Sequence, residues 1–288
     1  MVPSDSASPD KPLADQVAVV TGGGGIGRAI ALALAGAGAE VVIGDIVPER
    51  CEETVERVRG LGRRALGIPT DVMDTAQIET LVTRAVEEFD RLDILVNNAG
   101  GVTLRPFLEQ SERSWRKHVD LNLISMFAAT STAAPIMIKG GRGGAVLNVT
   151  SIEGSRAAPY AAVYSAYKAG MNNFTRTMAV ELSDHGIRVS AIAPDFTPTP
   201  GLRKGPVDPT TWVPFTPQQQ ETMARRIPLG RGGLESECGA AALYLCSPMA
   251  SYVTGVILPV DGGTWASGGW VRSRTGKWVL SEVAADPA

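Results

Sequence analysis

Tyr164 and Lys168 stand four residues apart in Tyr164-Ser165-Ala166-Tyr167-Lys168, and Ser151 lies a short way upstream. On a helix this spacing stacks two side chains on one face, one turn apart. A phenol is a weak acid, with an ordinary pKa of about 10, and a neighbouring ammonium favours its ionised form. A tyrosine brought toward neutrality in this way passes a proton to or from an alcohol or ketone oxygen. Ser151 follows the apolar run Ala145-Val146-Leu147-Asn148-Val149, which reads as a buried strand. A hydroxyl at the end of such a strand is placed to hydrogen-bond the same oxygen. The register is unambiguous, because Tyr160 and Tyr167 are followed four residues on by Tyr164 and Met171 rather than by lysine. An ordinary aromatic–cation pair on a helix has the same spacing, so the rest of the chain must decide.

The elements that position these residues alternate. Val17 to Val20, 40–45, 64–68, 92–97, 145–149, 187–192 and 255–260 read as strands. Helical stretches fall at 27–36, 48–61, 75–89, around 111–138, 161–184 and 235–246, with Ile78, Leu81, Val82, Ala85 and Val86 at helical spacing. Strands alternating with helices imply right-handed crossovers and a parallel sheet covered on both faces. The expected fold class is therefore α/β, a Rossmann-like doubly wound parallel sheet in a single domain. Residues 1–14 read as a disordered lead and 15–263 as the dinucleotide-binding catalytic domain. Residues 197–228 read as a substrate lid and 264–288 as a C-terminal extension.

The first strand runs into Thr21-Gly22-Gly23-Gly24-Gly25-Ile26-Gly27. Gly22, Gly24 and Gly27 satisfy the spacing G-x-G-x-x-G between a strand and a helix, where glycines let backbone approach a pyrophosphate. Asp45 ends the second strand, where a carboxylate accepts from the adenosine ribose hydroxyls and repels a 2′-phosphate. Its sequence neighbours are Gly44 and Ile46, so no basic residue adjoins it, and the residue before Gly25 is also a glycine. Both features favour NAD over NADP.

Together these motifs resemble the short-chain dehydrogenase/reductase family, from about Leu13 to Gly263. The resemblance implies that Tyr164 is the general acid/base, that Lys168 lowers its pKa and binds the nicotinamide ribose, that Ser151 positions the substrate oxygen and that Asn122 supports a proton relay. It places Gly22, Gly24, Gly25, Ile26, Gly27, Asp45, Ile46, Asp71, Val72, Asn98, Ala99, Gly100, Tyr164, Lys168, Pro194, Thr197 and Thr199 against NAD. Two departures stand out. The family's Thr-Gly-x-x-x-Gly-x-Gly loop is one residue shorter here, which puts the matching of Gly23 and Gly24 in doubt. Pro194 is followed by Asp195 where the family carries glycine, either adding a carboxylate near the site or capping a turn. The implied reaction is hydride transfer between NAD(H) and a secondary alcohol or ketone, apolar or cyclic if Trp212 and Phe215 of the lid cover it. A ketoreductase using NADH on a carrier-bound or metabolite ketone, and a dinucleotide-binding regulator without turnover, are the alternatives.

Composition narrows the partners. Apolar residues make up 44% of the 288, net charge is −3 and mean hydropathy is +0.05. That is an ordinary globular balance with no basic stripe, so nucleic acid is not expected. Apolar runs such as 29–35 are too short to span a bilayer, and the polar start lacks a secretory pattern. Cys51, Cys238 and Cys246 have no metal-like spacing, and no metal is expected. A cytoplasmic enzyme with a small-molecule substrate is expected. Trp265, Trp270 and Trp278 suggest that the extension packs on a neighbouring subunit, and relatives are commonly homotetramers built on the helix carrying Tyr164.

Overall fold

The computed structural model describes residues 11–199 and 216–280. Seven strands form one parallel sheet: β1 (Val17–Thr21), β2 (Glu40–Asp45), β3 (Ala65–Pro69), β4 (Ile94–Asn97), β5 (Gly144–Val149), β6 (Ile187–Pro194) and β7 (Ile257–Val260), in the spatial order β3-β2-β1-β4-β5-β6-β7. The helices are α1 (Gly25–Gly36), α2 (Pro48–Gly60), α3 (Thr75–Phe89), α4 (Glu112–Val119), α5 (Ser125–Gly140), α6 (Ala162–Glu181), α7 (Pro217–Arg226) and α8 (Glu235–Cys246). Because the strands are buried on both faces, alternate residues feed two cores. Ala18 and Val20 of β1 pack with Ile30 and Leu34 of α1, Val55 of α2 and Leu245 of α8. Val17 and Val19 pack with Leu81 of α3, Met137 of α5 and Ala179 of α6. The strand order reverses between β1 and β4, and ligands of such sheets bind beyond the carboxyl ends of the strands at this point.

Asp93, buried just before β4, closes the opposite end of the sheet. Its carboxylate accepts from the Val17 N–H at 2.9 Å and from two nitrogens of the Arg91 guanidinium, Nε at 2.7 Å and Nη2 at 2.9 Å. Asp93→Asn removes the charge and some of these acceptors. It is expected to cost about 1–3 kcal/mol, read as a Tm lower by roughly 2–8 °C with KM for cofactor unaltered.

Most sequence expectations meet the fold within a residue or two; four features differ. Leu13, expected in the disordered lead, is fully buried and its N–H donates to the Ala37 carbonyl. The helix expected around 111–138 is α4 and α5 joined through a π-helical turn, Asp120–Ile124. Glu112 to Gly140 is thus long and apolar enough to pass for a membrane span by composition, but Ala129, Ala133 and Met137 of α5 pack into the core beside α3. The insertion contains a helix, α7, started by Thr216, whose hydroxyl caps Gln219 while the Gln219 side chain returns to the Thr216 N–H. Trp212 and Phe215 lie outside the described residues. The extension forms a short antiparallel hairpin, β8 (Val271–Arg272) with β9 (Trp278–Val279). It rests on its own chain: Arg225 of α7 donates to the Arg272 carbonyl at 3.0 Å, Arg272 donates to the Pro228 carbonyl, and the Arg272 guanidinium covers the Trp278 ring at 4.4 Å.

Candidate active site

Beyond the carboxyl end of β1, the glycine loop turns through positive φ at Gly22 (+86°) and Gly25 (+56°), which glycine alone adopts without strain. A Cβ on Gly27 would lie 1.9 Å from the Gly22 carbonyl oxygen. The α1 N-terminus has no side-chain cap, leaving its first N–H groups to a ligand. The shortened loop is braced from α2. Thr54 donates to the Gly23 carbonyl at 2.7 Å, and Arg28, paired with Glu53, donates to Thr54. These braces were not legible in the motif itself.

Asp45 is buried at the end of β2 and accepts from the Gly23 N–H at 2.7 Å and the Val47 N–H at 2.9 Å. Sequence adjacency is misleading here: the Arg50 guanidinium, on the first turn of α2, lies 3.8 Å from the Asp45 carboxylate. Its side chain also runs past Gly24. Ile46 is exposed beside them, Ile26 is half-buried in the first turn of α1, and Val72 is buried beside a narrow pocket that Thr21, Ala99 and Asn122 also line. The Asp71 carboxylate is engaged by the Met73 N–H at the entry to α3.

After β4, Asn97 donates to Asn148 of β5 at 2.8 Å, pinning two strands side by side. Asn98 sends its amide to the carbonyls of Thr21 and Gly22, so it braces the glycine loop rather than facing open space. Ala99 donates to the Thr21 hydroxyl, and a Cβ on Gly100 would meet Asn122 at 2.4 Å. Asn122 sits in the π-helical turn with its side chain spent: the amide donates to the carbonyls of His118 and Gly101, and its oxygen accepts from the Gly101 N–H.

The Ser151, Tyr164 and Lys168 side chains converge from β5 and α6. Ser151 donates to the Pro194 carbonyl at 3.3 Å, accepts from the Glu153 N–H and lies close enough to the Tyr164 phenol to act on it. Lys168 is buried and donates to the Val149 carbonyl at 2.8 Å, with its ammonium 5.7 Å from the Tyr164 ring centre. The expectation that Lys168 lowers the phenol's pKa meets a larger, opposing effect of burial in this arrangement. Burial raises Tyr164 above its ordinary value, opposed by the Ser151 hydroxyl and reinforced by the charges of Glu153 and Asp195. Burial likewise pushes the Lys168 ammonium down to about 7, so its charge is itself depleted near neutrality. Thr197 is buried below the loop after β6, and the Thr199 side chain would touch a Cβ on Gly25, within reach of the phosphate cradle.

The glycine cradle fits a dinucleotide pyrophosphate, because its turn closes so tightly at Gly27 that a Cβ would collide with the Gly22 carbonyl, bringing bare backbone beside the uncapped N-terminus of α1. A doubly wound parallel sheet carrying this cradle at one strand end and a Ser-Tyr-Lys group at another defines a nicotinamide-dependent dehydrogenase. Residues 20–264 match the family model described as enoyl-(acyl carrier protein) reductase. The chain belongs to the short-chain dehydrogenase/reductase family and is a hydride-transfer oxidoreductase of alcohols and ketones. It is 40% identical over 253 residues to cis-4-hydroxycyclohexanecarboxylate dehydrogenase of Sinomonas cyclohexanicum, covering 87% of this chain and 97% of that one. It is 37% identical over 252 residues to the 3-oxoacyl-[acyl-carrier-protein] reductase FabG of Thermotoga maritima, covering 87% and 98%. A solved 7 alpha-hydroxysteroid dehydrogenase, complexed with NADH and 7-oxo glycochenodeoxycholic acid, superposes with a TM-score of 0.80 at 34% identity, covering 89% of this chain and 97% of that one.

Proposed function

We propose that this enzyme interconverts a secondary alcohol and its ketone with NAD(H), on an apolar or cyclic carbon frame. The convergence of Ser151, Tyr164 and Lys168 beside the glycine cradle carries this reading. The nicotinamide cofactor supplies the hydride acceptor or donor. Tyr164 delivers its proton to the ketone oxygen in reduction and takes it back in oxidation. Ser151 holds the same oxygen, and Lys168 orients the ribose side of the site from beneath. Asn122 acts by position, fixing Gly101 against the π-helical turn. Gly22, Gly24, Gly25, Gly27, Asn98, Ala99, Gly100, Asp71, Val72, Pro194, Thr197 and Thr199 frame the cofactor. The cyclic frame draws support from two relatives whose names state cyclohexane-ring and steroid substrates.

NAD preference rests on Asp45, whose buried carboxylate repels a 2′-phosphate. Arg50 counters it in part. The wild type is expected to favour NAD over NADP in kcat/KM, and Arg50→Gln to widen that preference about three- to tenfold by removing one cation from the pocket. Steady-state rates with both cofactors check this, and a wild type that prefers NADP would overturn the assignment of Asp45. A panel of secondary alcohols and ketones, followed through absorbance of the reduced cofactor, tests the reaction itself. We also place the enzyme in the cytoplasm, as a homotetramer joined through α5 and α6. The partly exposed apolar side chains of Phe127, Val163 and Phe174 on those helices, with Leu123 of the π-helical turn, support that face.

A further inference from the structure

The loops following β5 and β6 face each other across Ser151 and Tyr164, and one cation bridges them. Arg156, on the β5 side, grips Glu153 through two nitrogens at 2.8 and 3.3 Å. The same guanidinium lies 3.6 Å from Asp195 on the β6 side, within ion-pair range but beyond a hydrogen bond. Asp195 directly follows Pro194, whose carbonyl accepts from the catalytic serine. Its side chain is 17% exposed. Among the described residues Thr264 also lies by its carboxylate, but the single hydroxyl proton of Thr264 is donated to the Asp261 carbonyl at 2.8 Å.

A carboxylate has about four acceptor positions, and a mostly buried one is costly unless they are filled. Here the described residues offer little to fill them. Glu153 and Asp195 share one arginine, and Asp261 adds a third acid to the field around both Arg156 and Asp195. The excess charge reaches the Tyr164 phenol. A substrate oxygen held by Ser151 and Tyr164 would therefore lie close to an acceptor-rich wall.

We propose that Asp195, set by Arg156 and Glu153, is a specificity-determining residue. It accepts a hydrogen bond from a second polar hydrogen on the substrate, a hydroxyl or an ammonium close to the reacting carbinol, and it disfavours a carboxylate in that place. The inference rests on the alcohol-ketone reading of the site and narrows it. A ring that fits the site gains by carrying a donor beside its carbinol. One that carries an acid there meets two carboxylates sharing one cation.

The test compares kcat/KM for cyclohexanol, cyclohexane-1,2-diol, 2-aminocyclohexanol and 2-hydroxycyclohexanecarboxylate in the wild type, Asp195→Gly and Asp195→Asn. In the wild type, at least one of the diol and the amino alcohol is expected to exceed cyclohexanol by about tenfold, and the hydroxy acid to fall below it. The two donor-bearing compounds separate hydroxyl from ammonium as the group recognised. Asp195→Gly should bring the donor-to-cyclohexanol ratio close to one. Asp195→Asn, which keeps an acceptor but no charge, should retain the diol preference and relax the discrimination against the acid. A wild type that turns over cyclohexanol better than both donor-bearing compounds overturns the inference and leaves the dehydrogenase reading standing. So does a ratio that Asp195→Gly does not change. Absence of any Tyr164-dependent turnover across the series overturns both.

Discussion

Tyr164→Phe is expected to lower kcat in both directions about a thousandfold, the middle of the range for a positioned general acid/base. The change removes one oxygen from a half-buried ring. Its packing against Tyr167, edge-on at 5.3 Å, does not depend on that oxygen. Stability should therefore move little, and cofactor affinity should stay within about threefold of the wild type. Tryptophan fluorescence quenching by NADH and a thermal melt would establish both before rates are compared. A variant retaining a tenth or more of the wild-type rate would remove Tyr164 from the proton step. The pH dependence follows from the same residue. Burial and the charges of Glu153 and Asp195 raise the phenol above its ordinary value. Alcohol oxidation needs the phenolate, so its rate should climb with pH through the alkaline range. Ketone reduction needs the phenol and should stay level through neutrality. Taking away one of the two acids lowers the phenol's pKa, so Asp195→Asn should move the oxidation limb to lower pH.

Gly27→Ala is expected to lower cofactor affinity about a hundredfold or more, since misplacing the cradle by about 1 Å is enough to cost that much. The added Cβ would stand 1.9 Å from the Gly22 oxygen and 2.4 Å from the Asn98 amide. Neither neighbour is a free side-chain end. The Gly22 carbonyl accepts from Asn98, which also holds Thr21, so the loop and its brace must shift together. Overpacking of this kind costs about 1–3 kcal/mol, a Tm lower by roughly 2–8 °C. NADH titration of the folded variant separates lost affinity from lost stability. A variant that binds NADH as tightly as the wild type would show that the phosphates do not lie over this turn.

The chemistry of the site was legible because it is written at short range. Ser151 closes an apolar run, Tyr164 and Lys168 share one helical face, and the glycine run sits between a strand and a helix. Each signal depends on residues within a turn or two, and backbone geometry converts spacing into direction. The parallel, doubly wound sheet follows from the alternation of strands and helices together with the handedness of crossovers, whereas the order of its strands does not, since doubly wound sheets of other orders share both. The braces around the site are a different matter. The side chains of Asn98 and Asn122, assigned to the cofactor site and the relay, hydrogen-bond the backbone of Thr21, Gly22 and Gly101. Finding such a contact needs the partner's position, which no local pattern supplies.

By itself, then, the sequence determined the α/β fold and the strand-end location of the site, and it pointed to Tyr164 as the group we propose to transfer the proton, all consequences of hydrophobic period, turn chemistry and fixed spacing. Only the tertiary structure decided how charge is distributed there. Arg50 reaches Asp45 from another element, Arg156 joins Glu153 to Asp195 across two loops, and burial raises the Tyr164 phenol while depleting the charge of Lys168. The same holds for the hairpin that sets Arg272 against Pro228 and α7. Electrostatic energy depends on distance and solvent exposure, and both are fixed by the packing of segments far apart in the chain.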